Sequence, residues 1–171
     1  QSAIEKFGQY LIGKDPLLIE HHWQYMYRFS HFRGAAIMGA ISALDIALWD
    51  IRGKTLKQPL WKMAGGANDR CRAYCGAIDL NFPMGKLLSN IQGYLDLGYT
   101  AVKIKVGQPT LEEDIARVKA VRELIGANIT FMVDANYSMN INEAIAAAKA
   151  FRPYNILWFE EPTIPDDYSG Y

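Results

Sequence analysis

From about residue 71 onward the sequence repeats one cycle: a short apolar run, a break, and a longer amphipathic run. The apolar runs predict strands over residues 72–77, 101–106, 130–136 and 156–161, and the amphipathic runs predict helices near 85–97, 111–125 and 142–151. In the second helix Ile115, Val118, Val121, Arg122 and Ile125 keep helical spacing, with Glu112, Glu113 and Lys119 free to face water. Gly98, Gly126 and Pro153 punctuate the helix ends. Strands that recur every ~25 to 30 residues with a helix between them must run parallel, because a helical crossover returns the chain to the same end of the sheet. An α/β fold follows, and both a doubly wound sheet and a (β/α) barrel satisfy it.

The part before residue 71 is helical. Ile37, Ile41, Leu44, Leu48 and Ile51 step by four and three, which predicts a helix over 35–51 that stops before Gly53. Residues 19–27, after the Asp15-Pro16 pair, and residues 2–11 predict two more. The turn-rich stretch PLWKMAGGAND marks the change of pattern, so a helical region over 1–66 and a βα region over 67–171 are expected. The chain carries 18 Lys+Arg against 18 Asp+Glu, and this charge balance argues against a general binder of nucleic acid. No apolar run approaches the ~20 residues of a membrane span, and no basic segment followed by an apolar stretch opens the chain. A cytoplasmic protein without membrane or nucleic-acid partners is the expectation.

In a parallel sheet covered by helices, ionisable residues inside strands need a reason. Side chains alternate along a strand, so Lys103 and Lys105 share one side of AVKIKV while Val102, Ile104 and Val106 share the other. Alternation likewise groups Asp134 with Asn136, and sets Glu160 opposite Phe159 and Glu161. If the apolar side packs on helices, the polar side faces the interior of a barrel. All these groups lie near the carboxyl ends of their strands, where parallel α/β folds assemble their sites. A structural ion-pair network of Lys103, Lys105, Asp134 and Glu160 is one alternative, and solvated strand ends are another. Chemistry favours a functional cluster. Two ammonium groups one residue apart repel, and burial adds to the effect, so one lysine can become a usable base, with Lys105 the better candidate. Asp134 and Glu160 supply the hard oxygens that Mg²⁺ prefers.

The segments GYTAVKIKVG, MVDANYS and WFEEPTIPDDYSGY, in that order on successive strands, resemble the mandelate racemase branch of the enolase superfamily, within the mandelate racemase/muconate lactonizing enzyme family. MGAISALDIALWDIRGKTLKQPLWKMAGG resembles the stretch that closes the family's α+β capping domain and leads into its modified (β/α) barrel. The resemblance implies that residues 1–66 end a capping domain and that 67–171 form the first half of a TIM-like catalytic barrel. It implies Mg²⁺-dependent abstraction of the proton α to a carboxylate through a metal-stabilised enolate. Acid-sugar dehydration or racemisation of a 2-hydroxy acid would be the overall reaction, and a small-molecule carboxylate the substrate. By the same resemblance Lys105 is the catalytic acid or base, and Lys103 contacts the substrate carboxylate and depresses the basicity of Lys105. Asp134 and Glu160 ligate Mg²⁺, Asn136 lines the site, and Glu161 supports the ligands from behind.

The family's third metal carboxylate and its His-Asp pair come from strands beyond the fourth, so the isolated chain is expected to hold two metal ligands of three and one of two acid/base groups. Four parallel strands cannot close a barrel, and their open edges predict a homo-oligomer. Two other readings compete: a catalytically inactive partial barrel that only associates with other chains, and a cycloisomerase or epimerase of the same superfamily, to which the EEPTIPDDY stretch is less similar. His21, His22 and His31 lack ligand spacing and are expected to be surface or packing residues.

Overall fold

A computed structural model describes residues 2–29 and 34–171, so His31 lies outside the described residues. The chain divides into two compact units, Gln1–Cys71 and Arg72–Tyr171.

The first unit is helical: α1 is Ala3–Leu11, α2 Ile19–Phe29, α3 Ala35–Leu56 and α4 Leu60–Met63. Ser2 opens α1 with a reciprocal cap, its hydroxyl accepting from the Glu5 N–H while the Glu5 carboxylate accepts from the Ser2 N–H. Phe7, Met26, Ala40 and Ile41 form the core, with Trp23, Ile37 and Leu44 packed around it. His22 is a packing residue as expected, buried with Nδ1 3.1 Å from the Tyr10 hydroxyl and Nε2 2.8 Å from the Asp15 carbonyl oxygen. One expectation is corrected, since α3 runs through Gly53 to Leu56. Gly53 does not end the helix but lets the following chain fold against it: a Cβ there would stand 3.0 Å from the Gln58 carbonyl oxygen. Lys57, in the left-handed region with φ 52°, ends the helix instead, and the Gln58 N–H closes on the Gly53 carbonyl at 2.9 Å. Among the described residues no helix is long and apolar enough to cross a membrane.

The second unit contains β1 Cys75–Gly76, α5 Met84–Asp96, β2 Ala101–Lys105, α6 Leu111–Ile125, β3 Thr130–Asp134, α7 Ile141–Phe151, a 3₁₀ turn at Arg152–Tyr154, and β4 Ile156–Glu160. The strands form one parallel sheet in the order β1-β2-β3-β4. Consecutive strands lying side by side are what a (β/α) barrel requires, whereas a doubly wound sheet reverses direction part-way. The helices cover one face. Val102, Ile104, Val106, Phe131 and Val133 pack there against Leu87 and Ile91 of α5, Val118, Val121 and Ile125 of α6, and Ala147 and Phe151 of α7. Each Val, Leu, Ile or Phe side chain so buried contributes about 1.5–3 kcal/mol. The unit is part of a TIM-like barrel with its polar strand face turned away from the helices.

Two details depart from simple alternation. β1 pairs over two residues only, so the predicted strand over 72–77 is mostly loop. In β4 one extra residue intervenes, because Phe131 pairs with Ile156 while Val133 pairs with Phe159. This bulge lets both Ile156 and Phe159 pack on the helix-side core, although strict alternation would place them on opposite faces. Glu160 is thereby set on the polar face in register with Asp134. Arg122, on the predicted apolar stripe of α6, ties loops together by donating to the carbonyls of Gly126, Ile129, Tyr154 and Asn155.

Candidate active site

Three adjacent strands bring one rung of charge together. Lys105 pairs with Asp134 across β2 and β3, and Asp134 pairs with Glu160 across β3 and β4, so all three sit at the carboxyl ends of their strands. Lys103 stands two residues earlier on the same face of β2. Lys105 Nζ donates to Asp134 Oδ2 at 2.6 Å, and Lys103 Nζ donates to Glu160 Oε2 at 2.6 Å while lying 3.4 Å from Asp134 Oδ2. The Asp134 side chain is 2% exposed, against 34% for Glu160.

The electrostatics follow from this geometry. Burial works to raise the Asp134 pKa, but hydrogen bonds from Lys105 and from the Asn136 N–H, together with the two lysine charges, outweigh it and hold the carboxyl below its usual range. For Lys103, burial works against the charge, but the hydrogen bond and charge of Glu160, together with Tyr74 and the Asp134 charge, outweigh it, so its pKa is raised. The two ammonium groups expected to repel each have a carboxylate partner. The side chains thus form the ion-pair network that the sequence offered as an alternative, on the face and at the strand ends where a site was expected.

Asn136 reaches the cluster by a turn rather than by strand alternation. β3 stops at Asp134, and Asn136 and Tyr137 adopt left-handed backbone with φ 45° and 63°. The Asn136 N–H donates to Asp134 Oδ1 at 3.0 Å, and its side-chain amide donates to Glu161 Oε2 at 2.8 Å. Glu161, itself at φ 47°, also accepts from the Tyr137 hydroxyl, and this bond pushes the Tyr137 pKa up. Glu161 therefore braces the residue that braces Asp134.

Three further residues complete the surroundings. Trp158 Nε1 donates to Glu160 Oε2 at 3.0 Å, and the Tyr74 ring lies 5.2 Å from Lys103 Nζ and 5.5 Å, edge to face, from the Trp158 ring. Asp79, on the loop after β1, accepts the Lys105 N–H at 2.8 Å. Its position in AIDLNFP, outside any strand, gave no parity signal by which to find it.

The donor set suits a hard cation. Among the described residues no group of three or more His, Cys, Asp or Glu side chains converges to hold a metal. Asp134 and Glu160 nevertheless place two carboxylates at neighbouring positions already surrounded by positive charge. Hard oxygens of this kind are what Mg²⁺ takes, with the rest of its coordination supplied by further oxygen ligands.

Residues 1–65 match the family model of the mandelate racemase/muconate lactonizing enzyme N-terminal domain, and residues 86–171 match that of the enolase C-terminal domain-like family. The chain belongs to the mandelate racemase/muconate lactonizing enzyme family of the enolase superfamily. It is 45% identical to a 3,6-anhydro-alpha-L-galactonate cycloisomerase of Streptomyces coelicolor, over 94% of this chain and 45% of that one. It is 40% identical to an arabinonate dehydratase of Saccharolobus solfataricus, over 98% of this chain and 46% of that one. Among solved structures, an L-talarate dehydratase from Polaromonas sp. JS666, complexed with Mg and L-glucarate, superposes with a TM-score of 0.86 at 34% identity, covering 98% of this chain and 48% of that one. The chain spans about half the length of these family members.

Proposed function

We propose that the natural full-length protein is a Mg²⁺-dependent enzyme that removes the proton α to the carboxylate of an acid sugar, with dehydration as the overall reaction. The observation that carries this reading is the single rung of Lys105, Asp134 and Glu160 at the carboxyl ends of adjacent strands. The dehydratase relatives, one of them complexed with Mg and L-glucarate, support the choice of acid-sugar substrate. In this reading residues 1–66 end a capping domain and 67–171 form the first half of the catalytic barrel.

Asp134 and Glu160 would hold the Mg²⁺. Bound there, the ion supplies Lewis-acid stabilisation of the negative charge that develops on the substrate carboxylate as the α-proton leaves. Lys105, as a neutral amine, takes that proton at Nζ; the electron pair left on the α-carbon forms the double bond as the β C–O bond breaks, and the Lys105 ammonium returns its proton to the departing hydroxyl, which leaves as water. Lys103, two residues earlier on the same face, supplies the positive charge that orients the substrate carboxylate. Asn136 lines the site beside Asp134, and Glu161 holds the Asn136 amide in place.

The cycloisomerase relative at 45% identity favours a second reading, isomerisation of an anhydro-sugar acid by the same residues. Product mass separates the two, since dehydration removes one water and isomerisation leaves the mass unchanged. The test is to incubate the natural full-length protein with a panel of aldonic, aldaric and anhydro-sugar acids in D₂O, with Mg²⁺ or with a chelator, following α-proton loss by NMR and product by mass. Metal-dependent loss of the α-proton is expected. Turnover of a sugar acid with the α-proton fully retained would overturn the proposal.

A further inference from the structure

β1 leaves the sheet after Gly76, which pairs with Lys103, so β2 reaches Lys105 with no strand beside it on that side. The Lys105 N–H is taken instead by a side chain, Asp79 Oδ1, at 2.8 Å. Asp79 is fully buried, and its countercharge is Arg117 of α6, itself 5% exposed. Arg117 Nη2 lies 3.5 Å from Asp79 Oδ1 and donates to the Asp79 carbonyl at 2.9 Å, and Nη1 donates to the Phe82 carbonyl at 3.0 Å. As a stabilising device the pair is poor, because Asp79 Oδ2 and Arg117 Nε are buried without a hydrogen-bond partner. What the pair achieves is geometric: the carboxylate stands where a neighbouring strand would have offered a carbonyl, and the guanidinium fixes the loop that carries it.

We infer that Asp79 and Arg117 are positioning residues for Lys105, pinning the end of β2 so that the Lys105 ammonium stands at the Asp134 carboxylate. The inference rests on the reading of Lys105 as the acid/base group. The loop between Asp79 and Phe82 thereby becomes part of the catalytic frame although it supplies no group to the charged rung. A shift of Lys105 by a fraction of an ångström to an ångström is enough to cost up to ~100-fold in rate.

The test uses the natural full-length protein with Mg²⁺ and its turned-over sugar acid. It measures kcat and KM for α-proton exchange, Mg²⁺ affinity by calorimetry, and hydrogen–deuterium exchange of the peptide covering Ala101–Lys105. Asp79→Ala is expected to speed exchange in that peptide and to lower kcat about tenfold or more, with KM and Mg²⁺ affinity within about twofold of the parent. Asp79→Asn, whose carboxamide oxygen still accepts the Lys105 N–H, is expected to restore most of both losses. If Asp79→Ala does not fold, Arg117→Lys carries the test: it keeps the charge, loses the fork on the two carbonyls, and should show the same kcat-selective loss. Parent-like peptide protection and kcat in the folded variant would overturn the inference. A parallel Lys105→Met separates the two claims. Persistent α-proton exchange in it removes the acid/base role and this inference together, while exchange lost in it, with Asp79→Ala at parent values, removes the positioning role alone.

Discussion

Asp134 and Glu160 face each other as register partners across β3 and β4, and the two lysines of β2 each place an ammonium 2.6 Å from one of them. Two carboxylates held side by side repel unless positive charge stands between them. Here that charge comes from the chain itself. A divalent cation entering the same place would compete directly with Lys103 and Lys105 for the carboxylate oxygens.

Mg²⁺ affinity should therefore depend on both carboxylates. In the natural full-length protein, Asp134→Asn and Glu160→Gln are each expected to weaken Mg²⁺ binding by about tenfold or more, read by calorimetric titration. Unchanged affinity in either variant would remove that residue from the ligand set.

Two buried carboxyls should respond to pH with opposite signs. Asp134 has a depressed pKa in the folded chain, so it contributes stability that is present above the ordinary value of 3.8 and lost as pH falls through its folded value. Asp114, 1% exposed, has a pKa raised by burial, against which the Gly107 and Gln108 N–H groups work only in part. Its charged form opposes folding increasingly as pH rises from 3.8 through its folded value. In urea unfolding without metal, the advantage of the parent over Asp134→Asn should shrink as pH is lowered below 3.8. The advantage over Asp114→Asn should shrink as pH is raised, and parallel trends in the two variants would contradict the assignment.

The loop after β2 depends on a glycine. Gly107 adopts φ +107° with its N–H on the Asp114 carboxylate, and a Cβ there would meet the Ser138 hydroxyl. Gly107→Ala should cost about 1–3 kcal/mol of unfolding free energy. Lys57→Gly, at the left-handed end of α3, should instead stabilise by about 0.5–1 kcal/mol. Thermal unfolding of the two variants reads both signs.

Open sheet edges predict association. Among the described residues β1 and β4 each lack a neighbour on one side within the sheet, and Leu157 on β4 is 61% exposed. The 171-residue polypeptide on its own is expected to sediment as an oligomer. A compact monomer that unfolds cooperatively at low concentration would count against open edges.

The sequence pattern located much of this because both of its periods were intact. The step of four and three placed α3, and the parity of Lys103, Lys105, Asp134 and Glu160 placed the charged rung, since a half-covered strand forces its polar side chains to one face. What alternation could not reach lies where backbone leaves the strand lattice. The bulge in β4, the left-handed turn at Asn136 and Tyr137, and the departure of β1 before Lys105 each break the period of two on which parity rests. Asp79 was invisible for the same reason, since its role comes from a missing strand rather than from its own surroundings in sequence. The helix through Gly53 shows the converse error, where a residue read as a stop serves a close approach between chain segments.

The most direct test of the account is α-proton exchange by the Lys105→Met variant of the natural full-length protein, measured by NMR in D₂O with Mg²⁺ saturating. The substrate is the sugar acid that the parent turns over. Exchange on the face Lys105 serves is expected to be abolished while Mg²⁺ binding is retained or tightened, because methionine fills the same space without a titratable nitrogen and without a charge that competes for Asp134. Exchange at the parent rate on that face would contradict the account, and would leave Lys103, Lys105, Asp134 and Glu160 as a structural ion-pair cluster.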